Sequence, residues 1–255
     1  MGKIVAVANQ KGGVGKTTTA INLSASLALA GVPVLLVDLD PQANATSGLG
    51  LAKSQETSIY DVMINEVPVR EVIIHSNIQK LDVLPGNIAL AGAEVEMVGL
   101  MARERVLKTA LDEVVDDYKF IIIDCPPSLG LLTLNALTAA NSVIVPIQCE
   151  YFALEGLSQL MNTVTQVKKH LNPQLEIEGV VLTMYDVRTK LSNQVVNEVK
   201  KFFKAKVYRS IVPRTIKLGE APSFGMPVVT YAPQSSGARA YQSLAAEVLK
   251  DNKGV

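Results

Sequence analysis

Short apolar runs bounded by turn residues alternate along the chain with segments whose apolar positions recur every three to four residues. The runs Ile4 to Ala8, Val34 to Val37, Leu81 to Leu84, Phe120 to Ile123, Val143 to Ile147, Val180 to Met184 and Val207 to Val212 predict strands. Several of them lack polar alternation, as strands buried on both faces do. Helical spacing lies between them, over Arg103 to Val115, Leu131 to Ala139, Leu157 to Leu171, Asn193 to Phe203 and Ala238 to Leu249. A first helix is expected after Thr18 and Thr19, where Ala20, Ile21, Leu23, Leu27 and Ala30 keep the spacing and Gly31 supplies a stop. This alternation predicts an α/β fold, a doubly wound, mostly parallel sheet with helices on both faces. No Pro/Ser-rich linker or internal repeat interrupts it, so a single domain over 1–255 is expected.

Composition narrows the setting. With 255 residues, 48% of them hydrophobic, the chain can bury a substantial core without disulfides. Cys125 and Cys149 sit far apart in strand-like segments and read as reduced core thiols. No basic segment followed by an apolar leader opens the chain, and no apolar stretch is long enough to span a bilayer, so a cytoplasmic protein without a membrane partner is expected. The formal net charge is zero, so attraction to a polyanion must come from a local patch. His75 and His170 stand in contexts that suggest surface or packing roles and no catalytic chemistry.

Between the first strand and the first helix stands Lys11-Gly12-Gly13-Val14-Gly15-Lys16-Thr17-Thr18. A triphosphate is held best by backbone N–H groups converging at a helix N-terminus, and glycines permit the backbone that this requires. In such a loop Lys16 reaches the β and γ phosphates and the Thr17 hydroxyl ligates Mg²⁺. Two further strands end on carboxylates, at Asp38-Leu39-Asp40-Pro41-Gln42 and at Asp124-Cys125-Pro126-Pro127. Asp124, after four apolar residues, has the placement of an acid that holds Mg²⁺ through its water shell, although a helix-capping aspartate would also sit there. Asp38 and Asp40 are separated by one residue at the strand end and need not share a task.

The ordinary phosphate-loop pattern asks for glycine where this chain has Gln10, and a lysine precedes the glycines instead. The loop therefore resembles the deviant Walker A box of the ParA/MinD class of P-loop ATPases. Further matches are Ala8-Asn9-Gln10-Lys11, Asp38 through Gly50, Asp124 through Gly130, Gln148 through Leu157, Leu182 through Thr189, and Pro213-Arg214 through Ser223. Together with the short N-terminus they resemble the chromosomal ParA/Soj partition ATPases that lack an added DNA-binding domain. The resemblance implies that Lys11 reaches the nucleotide of a second subunit, that Asp40 positions or activates the attacking water, and that Asp38 supports the metal and switch network. It also implies switch loops over Asp40 to Gly50 and Asp124 to Gly130, and adenine contacts from Met184, Pro213 and Arg214. The cofactors implied are ATP and Mg²⁺. The partners are a second copy of the chain in an ATP-dependent homodimer, nonspecific DNA, a ParB/Spo0J-like protein that stimulates hydrolysis and, as in some relatives, DnaA. A nucleoid-associated protein is implied.

From Asp186 to Glu220 nine basic residues stand against three acidic ones, a patch suited to phosphate backbones. By resemblance Arg188 and Lys217 are the expected DNA contacts, while Arg214 serves either DNA or adenine. Lys200, Lys201 and Lys204 fit DNA or a solvated helix face equally. The alternative function is a MinD-like regulator of cell division or protein positioning. It asks for a basic amphipathic tail, and Ala245 to Val255 is too poor in apolar residues and too mixed in charge to supply one. An iron–sulfur reductase would need paired cysteines, and a GTPase an Asn/Thr-Lys-x-Asp motif; Thr189-Lys190-Leu191-Ser192 lacks the aspartate.

Overall fold

The computed structural model describes residues 2–150 and 157–253. Among them eight strands form one sheet: β1 (Lys3–Val7), β2 (Val34–Asp38), β3 (Ile74–His75), β4 (Leu81–Leu84), β5 (Phe120–Asp124), β6 (Ser142–Gln148), β7 (Glu176–Tyr185) and β8 (Val207–Pro213). Their spatial order is β3-β4-β2-β5-β1-β6-β7-β8, and every neighbouring pair is parallel except β3 with β4. Through the sequence run helices α1 (Lys16–Leu29), α2 (Asn44–Gly48), α3 (Ile59–Ile64), α4 (Val69–Val72), α5 (Leu90–Glu96), α6 (Val106–Asp112), α7 (Leu131–Ala139), α8 (Leu157–His170), α9 (Lys190–Phe203), α10 (Ile216–Glu220), α11 (Val228–Tyr231) and α12 (Ser236–Asp251).

Burial on both faces explains the uninterrupted apolar strands. In β1, Val5 and Val7 pack against Leu23 and Leu27 of α1 and Tyr241 and Leu244 of α12 in one core. Ile4 and Ala6 join Leu107, Leu132, Leu160 and Val195 of α6, α7, α8 and α9 in the other. Every residue of β2 and β5 is buried, so neither strand has a solvent face on which a polar residue would be favoured.

The seven expected strands are present, β7 with an earlier start. Its first residues, Glu176, Ile177 and Glu178, are incompletely buried and two of them are acidic, so they lack the apolar signal of the rest. The two-residue β3 was not foreseen. The helix expected from Arg103 begins as a 3₁₀ turn at Arg103–Arg105, and α6 starts only at Val106 because Arg105 has φ −113° and ψ 0°. The α9 helix starts at Lys190 rather than Asn193, with the Thr189 hydroxyl accepting the Ser192 N–H at 3.3 Å. Cys125 and Cys149 are buried free thiols whose pKa values burial pushes up, that of Cys149 to about 12. His75 and His170 are both exposed.

Candidate functional site

The carboxyl ends of β1, β2, β5 and β6 meet at one edge of the sheet, where ligands of doubly wound folds bind. Between β1 and α1 the loop turns through left-handed backbone at Gly13 (φ 72°) and Gly15 (φ 91°), and Gly15 is the residue on which α1 begins. Asn9 fixes the loop's entry. Its Nδ2 donates to the Pro146 carbonyl at 2.7 Å while its Oδ1 accepts the Lys11 N–H at 3.0 Å. The Thr183 hydroxyl donates to the Val14 carbonyl at 2.7 Å from the far side.

Gly12 shows what this frame is open to. Its φ lies outside the left-handed region, and a Cβ built on it would meet nothing within 4 Å. Among the described residues nothing fills that space, so the loop backbone there is open to close approach by a phosphate.

The two lysines of the loop differ sharply. Lys16 is 6% exposed, and its ammonium curls back to donate to the Lys11 carbonyl at 3.1 Å. Burial lowers its pKa, with Asp124 the largest of the opposing charges. Lys11 is half-buried, and its ammonium has no hydrogen-bond or ion-pair partner among the described residues.

Asp38 and Asp124 are direct register partners on β2 and β5, and both are fully buried. Asp38 Oδ2 accepts from the Thr46 N–H and hydroxyl, each at 2.7 Å, and the Thr46 hydroxyl oxygen in turn accepts the Gly86 N–H at 3.0 Å. Its other oxygen takes the Asp40 N–H at 3.4 Å. Asp38 therefore holds the segment after β2 in place, a supporting role. By contrast, neither oxygen of Asp124 has a hydrogen-bond partner of normal geometry; the Thr17 hydroxyl faces the carboxylate and offsets part of its burial. Burial first, and then the charge of Asp38, raise the Asp124 pKa. Two orphaned carboxylate oxygens beside a threonine hydroxyl fit a hydrated divalent cation, with the hydroxyl as a ligand and the carboxylate accepting from the cation's water shell. No group of three or more His, Cys, Asp or Glu among the described residues is arranged to hold a metal ion by itself, and Mg²⁺ at a phosphate site needs none. Asp40 is 7% exposed, with Oδ1 accepting the Gln42 N–H at 2.9 Å, so the carboxylate stands at the start of the following loop.

This pair has a pH signature. Burial raises the Asp38 pKa to about 6. An acid whose folded pKa exceeds its unfolded one withdraws stability as pH climbs between the two. Without nucleotide and with EDTA present, stability should therefore fall from about pH 4 through about pH 6, by on the order of 3 kcal/mol. Thermal unfolding across that window should show a shallower fall for Asp38→Asn; an equally steep one would refute the assignment.

Beside the loop lies a cavity of about 200 Å³ that brings Met184, Pro213 and Arg214 together with Gly15 and Thr18. Met184 holds left-handed backbone (φ 51°), an uncommon state for a residue with a Cβ. The cavity also takes in Thr183, Leu218 and Tyr241, which the sequence reading missed. Tyr241 bonds the Thr19 hydroxyl at 3.2 Å across 222 positions, a proximity no local signal carries.

The expected DNA contacts carry acidic partners. Arg188 pairs with Asp186 at 2.7 Å, Lys217 with Glu220 at 2.9 Å, and Arg214 with Glu150 at 3.7 Å. Lys217 also lies 5.5 Å over the ring of Tyr231. Residues 151–156, part of the segment Gln148 through Leu157, lie outside the described residues. No helix among the described residues is long and apolar enough to cross a membrane.

The pattern of an AAA domain family matches residues 2–177. The sporulation initiation inhibitor protein Soj of Bacillus subtilis is 58% identical over 249 residues, covering 97% of this chain and 98% of that one. The chromosome-partitioning ATPase Soj of Treponema pallidum is 53% identical, covering 98% of each. Among solved structures, cobyrinic acid a,c-diamide synthase from Mycobacterium smegmatis with bound ADP and magnesium superimposes with a TM-score of 0.88 at 40% identity, over 100% of this chain and 96% of that one. With the loop, the strand-end carboxylates and near-complete coverage in agreement, the chain belongs to the Soj/ParA family of chromosome-partitioning ATPases.

Proposed function

We propose that the chain binds ATP with Mg²⁺ at the β1–α1 loop, dimerises over it, holds DNA without regard to sequence, and lets go when hydrolysis is stimulated by a ParB/Spo0J-like partner. The observation that carries this reading is the contrast between the loop's lysines: Lys16 turned inward and bonded, Lys11 half-exposed, its ammonium without a partner among the described residues, next to the open Gly12. The working place is the cytoplasm, on the nucleoid.

Phosphoryl transfer needs little covalent chemistry from a protein, so orientation and charge neutralisation dominate. Gly12 to Thr18 hold the phosphates with backbone N–H groups at the start of α1, and Lys16 neutralises their charge from within the same chain. Met184, Pro213 and Arg214 wall the adenine. Thr17 would hold the cation directly and Asp124 through its water shell, while Asp38 keeps the loop after β2 in place. Mg²⁺ bound there would supply charge neutralisation for the phosphates. Asp40, at the mouth of the site, orients the attacking water. Lys11 supplies the last positive charge from the second subunit.

The test is ATP turnover of the purified protein with DNA and an N-terminal peptide of its partner. Turnover should rise by about tenfold or more only when both are present; a rate indifferent to both overturns the reading. Asp40→Ala should bind ATP but accumulate long-lived dimers on DNA, read by gel filtration with light scattering, whereas dimers that decay at the normal rate would remove Asp40 from the reaction. Arg188→Ala should weaken DNA retention by about tenfold while sparing dimerisation, and unchanged retention on a filter would exclude that contact.

A further inference from the structure

Of the three acid partners on the DNA face, Asp186 differs in kind. Arg188 is held in a two-point fork, Nε to Oδ1 at 2.9 Å and Nη2 to Oδ2 at 2.7 Å, which is how a guanidinium takes a phosphate. Arg214 and Lys217 each reach their acids through one nitrogen. The aspartate is also fixed before the arginine arrives. Its Oδ1 accepts the Arg188 backbone N–H at 3.0 Å in an Asx turn, and its carbonyl accepts both the N–H and the hydroxyl of Thr189 at 3.1 Å. An ordinary surface pair contributes little because two side chains must be ordered to make it; here one is ordered already. The Arg188 side chain is 84% exposed with its phosphate-reading edge taken, and the Asp186 side chain beneath it is 20% exposed. The hydrogen bonds from Arg188 hold the Asp186 carboxyl down at about 2, so it is ionised throughout the neutral range.

The geometry points to Asp186 as a built-in competitor for phosphate at Arg188, a contact that weakens DNA binding by the lone chain and that the DNA-gripping dimer displaces. This rests on Arg188 being a DNA contact, as proposed above. A single protomer opens its fork with only its own few contacts in return, whereas a dimer, which opens two, sets the contacts of both faces on one duplex. The loop also borders the nucleotide cavity, since the Arg214 N–H donates to the Tyr185 carbonyl at 2.9 Å, next to Asp186 in sequence. The competitor thus stands where a change at the nucleotide wall reaches it.

Asp186→Asn keeps an acceptor for the turn and removes only the charge. Fluorescence anisotropy with a short mixed-sequence duplex, without nucleotide and with Mg-ATP over several salt concentrations, tests the inference. Asp186→Asn should bind about fivefold more tightly without nucleotide, with a steeper salt dependence, and should gain at least as much with Mg-ATP, where two forks open. Asp186→Glu, which keeps the charge, should show no such gain, and Arg188→Ala should erase the gain of Asp186→Asn. Nucleotide-free binding no tighter than wild type in a folded Asp186→Asn protein, or a gain that survives loss of Arg188, overturns the competitor. If Arg188→Ala weakens binding while Asp186→Asn changes nothing, the competitor alone fails. If Arg188→Ala binds like wild type with Mg-ATP, the DNA contact fails and the competitor with it.

Discussion

Lys16→Ala should lose ATP affinity by about a hundredfold or more while remaining folded, because the substitution removes a desolvated cation from the one place where phosphate charge has to be met inside the chain. Lys16 is 6% exposed and faces Asp124 and Asp40, while its ammonium donates to the Lys11 carbonyl. The cation is thus held in a low-dielectric site, and its pKa is lowered by that burial. A phosphate group entering the loop restores what burial took away, so the lysine favours the bound state strongly. Folding should tolerate the change, since a buried ammonium is itself costly and Asp124 can take up a proton when the cation is gone. Calorimetric titration with Mg-ATP measures the affinity and circular dichroism the fold. A folded variant with an affinity within about threefold of wild type would show that the phosphates lie elsewhere.

The parts of this site differ in how plainly they were written in the chain. Phe120 to Asp124 could be read at once because a strand buried on both faces leaves an apolar run, and the charge that ends it stands out. The glycine loop was legible for the same reason that it works, since close approach to phosphate restricts residue type. What could not be read is where strands sit beside each other. Asp38 and Asp124 lie 86 positions apart and become neighbours only through the β2–β5 register, which also makes their charges repel. Residues 44–102 hold α2 to α5, none longer than seven residues, joined through positive-φ turns at Glu66 and Lys80. Segments that short cannot display a helical period. Arg188 was found through charge and resemblance, but its fork with Asp186 depends on a turn whose side-chain geometry sequence spacing leaves open.

Lys11→Ala should separate binding from assembly: ATP affinity within about threefold of wild type, but no ATP-dependent dimer and stimulated turnover down by about a hundredfold. The local role of Lys11 is carried by its backbone, which accepts from Lys16 Nζ and donates to Asn9 Oδ1. Alanine keeps both groups, so the loop and its own nucleotide contacts should survive. What disappears is the ammonium, which has no partner among the described residues of its own chain. Two ATP-loaded loops brought face to face would otherwise repel, and a lysine from each side turns that repulsion into a reason to associate. Light scattering in Mg-ATP reads the dimer, and a mixing experiment reads the direction of the contact. A Lys11→Ala chain combined with a Lys16→Ala chain offers one intact nucleotide site and one intact Lys11, each on a different chain, so one competent composite site can form. Partial recovery of turnover on mixing is therefore expected. If the mixture stays inactive while Lys11→Ala alone still forms dimers, Lys11 acts on its own nucleotide and the trans assignment is wrong.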